Sequence, residues 1–283
     1  MEIGISTLIF ADFGKRGEPR DLYRAFAKLA EAGYRQLEYS DQSIPHPFSL
    51  AGEDVRSIEK KIKELNLIIA SIHIPCTQLP EGDIGSLDKN LRARCLDICL
   101  RTMETCKRLK AKYVVLHAGG AKENLSDPDI FRKVKGVYLE SLKKLCDSIG
   151  ADDLCIVLEN GGSKLSSMEG ILDTIRTVGS SRLKICVDIG HALGMGFDPA
   201  QMIRQAGSRL RHLHIHDTVQ GQDAHLVPGE GSIDFKQVVL ALKEIEYKDV
   251  FMLEAAFSKH SNDPQIIARK SKESAEAILG ESV

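Results

Sequence analysis

Carboxylates and imidazoles recur in this 283-residue chain at the ends of short apolar runs. The segments read Leu37-Glu38-Tyr39, Ser71-Ile72-His73, Val115-Leu116-His117, Leu158-Glu159-Asn160, Cys186-Val187-Asp188, His212-Leu213-His214-Ile215-His216-Asp217 and Met252-Leu253-Glu254. A strand buried on both faces should be almost wholly apolar, so an ionisable group at its end needs a partner. A single such histidine is usually a satisfied core group; repetition at the same end of run after run is what points to a site. Glu159, Asp188 and Glu254 aimed into one cavity would resist joint ionisation, and a cation removes that conflict. Carboxylates mixed with imidazoles suit Mn²⁺, Zn²⁺, Co²⁺ or Fe²⁺, whereas oxygen donors alone would favour Mg²⁺ or Ca²⁺. The identity of the ion stays open, with Mg²⁺ among the candidates.

Two loop clusters adjoin these ends: Asp188-Ile189-Gly190-His191, and Asp223-Ala224-His225-Leu226-Val227-Pro228-Gly229-Glu230-Gly231. Their glycines let backbone come close to a ligand. His46, His212 and His260 read as surface or packing residues, and His216 as a support for the site. Lys122, Lys164 and Lys259 follow strand ends and could meet a phosphate, although a solvated surface position is the commoner fate of such lysines.

The elements that must position these groups alternate from end to end. Strands are expected at Ile3–Ile9, Gln36–Ser40, Ile68–Ile74, Tyr113–His117, Cys155–Asn160, Leu183–Asp188, Leu210–Asp217 and Val250–Glu254. Amphipathic helical stretches fall between them at about 20–33, 53–66, 88–111, 128–149, 168–178, 199–206, 235–246 and 264–279. Asp21, Asp127-Pro128, Asp198-Pro199 and Asp263-Pro264 mark helix starts, with Asn66 and Gly179 near helix ends. The first strand is followed by Ile9-Phe10-Ala11-Asp12-Phe13, not by a glycine-rich phosphate loop, which argues against an open dinucleotide-binding sheet. Strict alternation without a linker predicts one α/β domain over residues 1–283, a parallel eight-stranded (β/α)₈ TIM barrel. In such barrels the active site lies at the C-terminal ends of the strands, where these polar groups fall.

Lys plus Arg number 38 against Asp plus Glu 40, a net charge of −2. That balance provides no global attraction to phosphate backbones or anionic membranes, so nucleic acid is a poor expected partner. No apolar run approaches the roughly 18 residues of a membrane span, and the N-terminus reads directly into a strand, so a cytoplasmic location is expected. The seven cysteines contain no C-x-x-C pair; Cys95, Cys99 and Cys106 share a helical face with Leu91 and Met103 and read as small buried hydrophobes. Cys76 stands apart from them.

The chain resembles the xylose isomerase-like barrel superfamily, which includes sugar and sugar-phosphate isomerases and epimerases and also endonuclease IV. The resemblance rests on Leu158-Glu159-Asn160, Asp188-x-x-His191, His214-x-x-Asp217, Asp223-x-His225-x-x-x-Gly229-x-Gly231 with Ile233-Asp234-Phe235, and Leu253-Glu254. It implies that Glu159, Asp188, His214 and Glu254 bind one divalent metal, as in the tagatose 3-epimerase-like branch. Glu159 and Glu254 would also move the proton. Nine ligand types of the endonuclease IV three-zinc site are matched as well, adding His73, His117, His191, Asp223 and His225 as supporting or further metal residues.

The surroundings separate the two branches. His73-Ile74-Pro75-Cys76-Thr77 lacks the aromatic residue that endonuclease IV places there to deform DNA, His117-Ala118-Gly119 lacks its proline, and Ala224 stands where it has arginine. The resemblance therefore implies a metal-dependent isomerase or epimerase of a small sugar or sugar phosphate. The alternatives are an abasic-site endonuclease and a dehydratase of the inosose or 3-dehydroshikimate type. Glu38, His191 and His225 are the expected substrate contacts, and a homo-oligomer is compatible with the sequence. The metal would chelate a carbonyl and neighbouring hydroxyl, acidify the intervening C–H and stabilise an enediolate, with the Asp223–Gly231 loop expected to close over it.

Overall fold

The computed structural model describes residues 1–10, 21–40, 49–50, 52–74, 83–117 and 123–280. His46, Cys76 and Lys122, singled out above, lie outside them. Eight strands are present: β1 (Ile3–Ser6), β2 (Gln36–Tyr39), β3 (Ile68–His73), β4 (Tyr113–His117), β5 (Cys155–Glu159), β6 (Leu183–Asp188), β7 (Leu210–His214) and β8 (Phe251–Leu253). They run parallel in the order β7-β6-β5-β4-β3-β2-β1-β8. The two ends of that sheet meet through a parallel bridge between Ile215 and Leu253, with Ile215 N–H donating to the Met252 carbonyl (2.8 Å) and Glu254 N–H to the Ile215 carbonyl (2.9 Å). This nearly closes a (β/α)₈ barrel.

Helices α1 (Leu22–Glu31), α2 (Gly52–Glu64), α3 (Lys89–Leu109), α4 (Pro128–Ser148), α5 (Met168–Val178), α6 (Ile189–Gly194), α7 (Pro199–Ala206), α8 (Phe235–Glu244) and α9 (Pro264–Gly280) surround it. The start signals act as expected: Asp21, Asp127 and Asp198 each accept two backbone N–H groups of their first turns. Gly179 ends α5 at φ +70°, and Asn66 follows α2 at φ +53°. Outward strand residues such as Leu37, Ile72, Leu158 and Ile185 pack with Phe26, Ile58, Leu142 and Ile171 of the helices in one buried shell. Cys95, Cys99 and Cys106 belong to that shell, and burial pushes the Cys99 and Cys106 thiols far up. Inside the barrel, Val115, Val157 and Cys186 form a small separate apolar layer.

Three differences from the expected elements bear on the site. β1 stops at Ser6, and Thr7–Phe10 form a turn of 3-10 helix. β7 stops at His214, because Asp217 leaves the barrel to pair with Leu226 in the following loop. A short helix, α6, opens directly from the last residue of β6, since Asp188 itself caps it by accepting the His191 N–H (2.7 Å). No helix of the described residues is long and apolar enough to cross a membrane.

Candidate metal centre and active site

Glu159, Asp188 and His214 are the last residues of β5, β6 and β7, and Glu254 directly follows β8. Parallel register levels them: His117 pairs with Glu159 across β4–β5, and Asp188 with His214 across β6–β7. All four proposed ligands are buried, and one donor atom from each lies within 4.8 Å of the others. The structure thus brings together at one mouth the side chains that the sequence placed at separate strand ends.

Glu159 is embedded among imidazoles. Its Oε2 is 3.2 Å from His73 Nε2 and 3.1 Å from His117 Nε2, and its Oε1 is 2.9 Å from His214 Nδ1 and 3.4 Å from His191 Nδ1. Burial pushes this carboxyl up, but His117, His214 and His73 more than offset that and hold it well below the usual range. Glu254 has looser company, with His214 Nδ1 at 3.6 Å and His225 Nδ1 at 3.7 Å, and burial there prevails and raises it. Two glutamates thus face one space with opposite tendencies, an arrangement that could divide the roles of base and acid. His117, pushed down by burial to about 4, is a neutral ring beside Glu159.

A second group stands on the β6–β7 side. His216 Nε2 lies 3.1 Å from Asp188 Oδ1, and its ring stacks on His225 at a centroid distance of 4.0 Å. Gly190 makes room for it: a Cβ there would sit 1.9 Å from His216 Cε1. His191 and His225 both face Asp223, at 3.6 and 3.2 Å. Burial lowers both rings, yet Asp188, Asp223 and Glu159 carry His191 up to about 11, and Asp223 and Glu254 carry His225 up to about 9. Burial raises Asp188, but His191 and His216 bring it down to about 2. His225 also sits at φ +44°, an uncommon conformation for a residue with a Cβ. Its Nδ1 meets the Glu254 carbonyl (2.9 Å), and its own carbonyl accepts the N–H groups of Ala256 and Phe257.

Glu38 and His212 take positions that the sequence reading did not foresee. Glu38, expected at the substrate, is fully buried, with its Oε2 3.2 Å from His214 Nε2, the ring nitrogen that faces away from the other carboxylates. His212, expected to be a surface or packing residue, is 1% exposed and places its Nε2 3.0 Å from the same oxygen. Ser71 Oγ donates to it as well, at 2.8 Å. The signal was present in the alternation His212-Leu213-His214, which aims both rings inward. His260 is exposed, as expected.

The β7–α8 loop is clasped, not free. Buried Asp217 accepts N–H groups of Thr218 (2.8 Å), Gly229 (2.8 Å), Gly231 (2.8 Å) and Ile233 (3.1 Å). A Cβ on Gly231 would come within 2.2 Å of Asp217 Oδ1. Glu230 is tied to Ser258 Oγ and the Lys259 N–H, both at 2.7 Å. The loop expected to close over the site is thus built into the wall that holds Asp223 and His225. Lys164 lies over the Phe131 ring, 5.6 Å from its centroid, and not among the carboxylates.

The donor set fits a divalent cation. Among the described residues, every basic partner of Glu159, Asp188 and Glu254 is a histidine, which can give up its proton when a cation takes its place, as a lysine or arginine could not. Buried oxygens and an imidazole nitrogen at this spacing match first-row transition-metal ligation.

Comparison with known proteins agrees with this architecture. The fructoselysine 3-epimerases of Escherichia coli and Shigella flexneri are each 26% identical to the chain over 263 residues, covering 91% of it and 93% of their own length. The D-psicose 3-epimerase of Enterocloster bolteae is 36% identical over a shorter stretch of 93 residues, 33% of this chain and 29% of that protein. The solved structure of a D-tagatose 3-epimerase-like protein superposes with a TM-score of 0.82 at 23% identity, covering 100% of this chain and 98% of the other, a likeness of fold. A family profile described as xylose isomerase-like TIM barrel matches residues 26–278. The chain belongs to the xylose isomerase-like TIM-barrel family.

Proposed function

We propose that this chain is a divalent-metal-dependent epimerase or isomerase of a small ketose, in which Glu159 and Glu254 move a proton to and from carbon. The observation that carries this reading is the convergence of Glu159, Asp188, His214 and Glu254, all buried, within 4.8 Å of one another at the barrel mouth. Relatives that are 3-epimerases of fructoselysine and D-psicose add to it. A bound divalent ion supplies Lewis-acid polarisation of substrate oxygens and compensates the charge of the three carboxylates.

The chain's own groups do the rest. One of Glu159 and Glu254 accepts a proton from the carbon beside the carbonyl and the other returns one, and the stereochemistry of the substrate decides which of them starts. The two glutamates come from β5 and from the end of β8, so return on the opposite face inverts the centre, giving epimerisation. His191 and His225, steadied by Asp223, are placed to orient substrate hydroxyls. His73 and His117 hold Glu159 in position.

The test is exchange of substrate C–H hydrogen with solvent deuterium across a panel of ketoses, using metal-loaded protein. Wild type should exchange, and Glu159→Gln and Glu254→Gln should fold yet lose exchange by a factor of about 100 or more, as expected when a general acid or base is removed. Either variant exchanging at the wild-type rate with metal bound would sink the two-glutamate scheme.

One observation favours a second reading. His73 and His117 on Glu159, with His191, Asp223 and His225 beside Asp188, complete in space the nine-residue set that resembles endonuclease IV. Cleavage of an abasic DNA duplex requires bending it, a cost of several kcal/mol normally offset by many phosphate contacts. A net charge of −2 offers little for that. Metal-loaded protein should leave an abasic duplex uncut at low salt; incision abolished by Glu254→Gln would establish the endonuclease reading.

A further inference from the structure

We propose that Glu38 is a positioning residue for metal binding: it accepts the Nε2–H of His214, so that Nδ1, facing the carboxylates, is the nitrogen whose proton a divalent ion displaces, while His212 and Ser71 hold Glu38 in place. This role rests on the metal-dependent reading above and extends it to residues that do not border the carboxylate cluster.

The two nitrogens of His214 look in opposite chemical directions. Nδ1 faces Glu159 Oε1 at 2.9 Å, Glu254 Oε2 at 3.6 Å and Asp188 Oδ2 at 3.8 Å. Nε2 faces Glu38 Oε2 at 3.2 Å. A ligating imidazole gives a lone pair from one nitrogen and keeps its hydrogen on the other, and the acceptor of that hydrogen decides which nitrogen is which. Glu38 is the acceptor on the far side, so the ring is preset with Nδ1 toward the ion.

The support under Glu38 has the form of a device and not of ordinary packing. His212 Nε2 at 3.0 Å and Ser71 Oγ at 2.8 Å meet the same oxygen that meets His214, while Glu38 Oε1, equally buried, has no hydrogen-bond partner among the described residues. A carboxylate arranged for stability alone would share its donors between both oxygens. Here every donor pins the oxygen that faces His214. All members stand on strands: Glu38 and Ser71 are register partners across β2–β3, and His212 precedes His214 by two residues on β7. Strand-borne groups are held more tightly than loop-borne ones. The His73 ring stacks on His214 at 5.6 Å, and the His212 ring meets it edge-on at 5.3 Å, which fixes its plane from two further sides.

The experiment is calorimetric titration of chelator-stripped protein with Co²⁺, together with the visible absorption of bound Co²⁺, which reports the ligand geometry directly. Glu38→Gln should raise the Co²⁺ Kd by roughly 10- to 100-fold, the usual loss when the partner of a ligating histidine is removed, and should change the Co²⁺ spectrum. Ser71→Ala, which removes one tether and no charge, should shift both in the same direction by less, and it serves if Glu38→Gln does not fold. Variants that melt earlier but bind Co²⁺ with the wild-type Kd and spectrum would reduce Glu38 to a structural residue and overturn the proposal. Wild-type protein that takes up no Co²⁺ would instead overturn the metal reading itself, and this role with it.

Discussion

Replacing Gly190 with alanine should disable the site without touching a proposed ligand. Gly190 is the second residue of α6 and does not have a positive φ, so alanine suits its backbone and would by itself favour the helix by about 1 kcal/mol. The added Cβ, however, would lie 1.9 Å from His216 Cε1, 2.3 Å from Nε2 and 2.4 Å from Nδ1. Ordinary contact begins near 3.5 Å, so the ring must retreat by about 1.5 Å. His216 is fully buried, and His225 is stacked against it at 4.0 Å, so the movement has nowhere to go without displacing the second histidine. It also breaks the 3.1 Å contact with Asp188. Overpacking costs about 1–3 kcal/mol, and loss of a buried hydrogen bond to a charged group adds about 1.5–3 kcal/mol, leaving a net destabilisation of about 2–5 kcal/mol. Urea unfolding of the chelator-treated protein measures this, and Co²⁺ titration of the folded variant should show weakened binding, because Asp188 has lost its partner. Gly190→Ala with wild-type stability and wild-type Co²⁺ affinity would refute the reasoning.

The metal-free protein should lose stability on alkaline titration. His191 is raised to about 11 and His225 to about 9 from an ordinary 6.5, so their contribution is complete below pH 6.5 and disappears as the pH climbs through 9 and then 11. Asp188, depressed to about 2 from 3.8, contributes above pH 3.8 and is lost as the pH falls toward 2. An unfolding free energy that stays level between pH 7 and about 10 in the presence of chelator would contradict the alkaline limb. Asp217→Ala should cost on the order of 3 kcal/mol, since Thr218, Gly229, Gly231 and Ile233 lose their shared acceptor, and it should increase proteolytic nicking between Asp223 and Gly231. Unchanged resistance to protease would show that other contacts hold that loop.

Much of the architecture was legible because parallel barrels write one rule repeatedly. Most strands are largely apolar and carry a polar group at or just after the C-terminal end, and each helix from α3 to α5 opens on an acceptor, Asp88, Asp127 or Ser167. The choice of Glu159, Asp188, His214 and Glu254 as one metal set came from the resemblance to the family, whereas the convergence of polar groups at the strand ends could be read from the pattern. Depth along the barrel axis could not. Glu38 and His212 are inward-facing like the other polar residues, but they fall one layer below them, and that level is set by strand stagger, which no single strand's pattern contains. Helix α6 was hidden for another reason: six residues are too few to show a helical period, and its cap, Asp188, had been accounted for as a strand end. The clasped loop escaped notice because Asp217 gathers N–H groups up to sixteen residues away, and a loop full of glycines reads as flexible when its acceptor is not seen.

If Asp188 ligates an ion, as proposed, it has a double duty that couples local folding to ligation. One of its oxygens receives the His191 amide that starts α6, while the other stands 3.8 Å from His214 Nδ1. An ion drawing on this carboxylate therefore acts on a helix terminus too, and by reciprocity whatever frays that terminus weakens the ion's hold. Amide hydrogen exchange along Ile189–Gly194 should slow on metal loading, making this short segment a built-in reporter of occupancy that needs no substrate. It also means that a deletion at position 188 perturbs two equilibria at once, so the heat of metal uptake in such a variant mixes ligation with helix ordering, whereas His214, which caps nothing, gives the cleaner measurement.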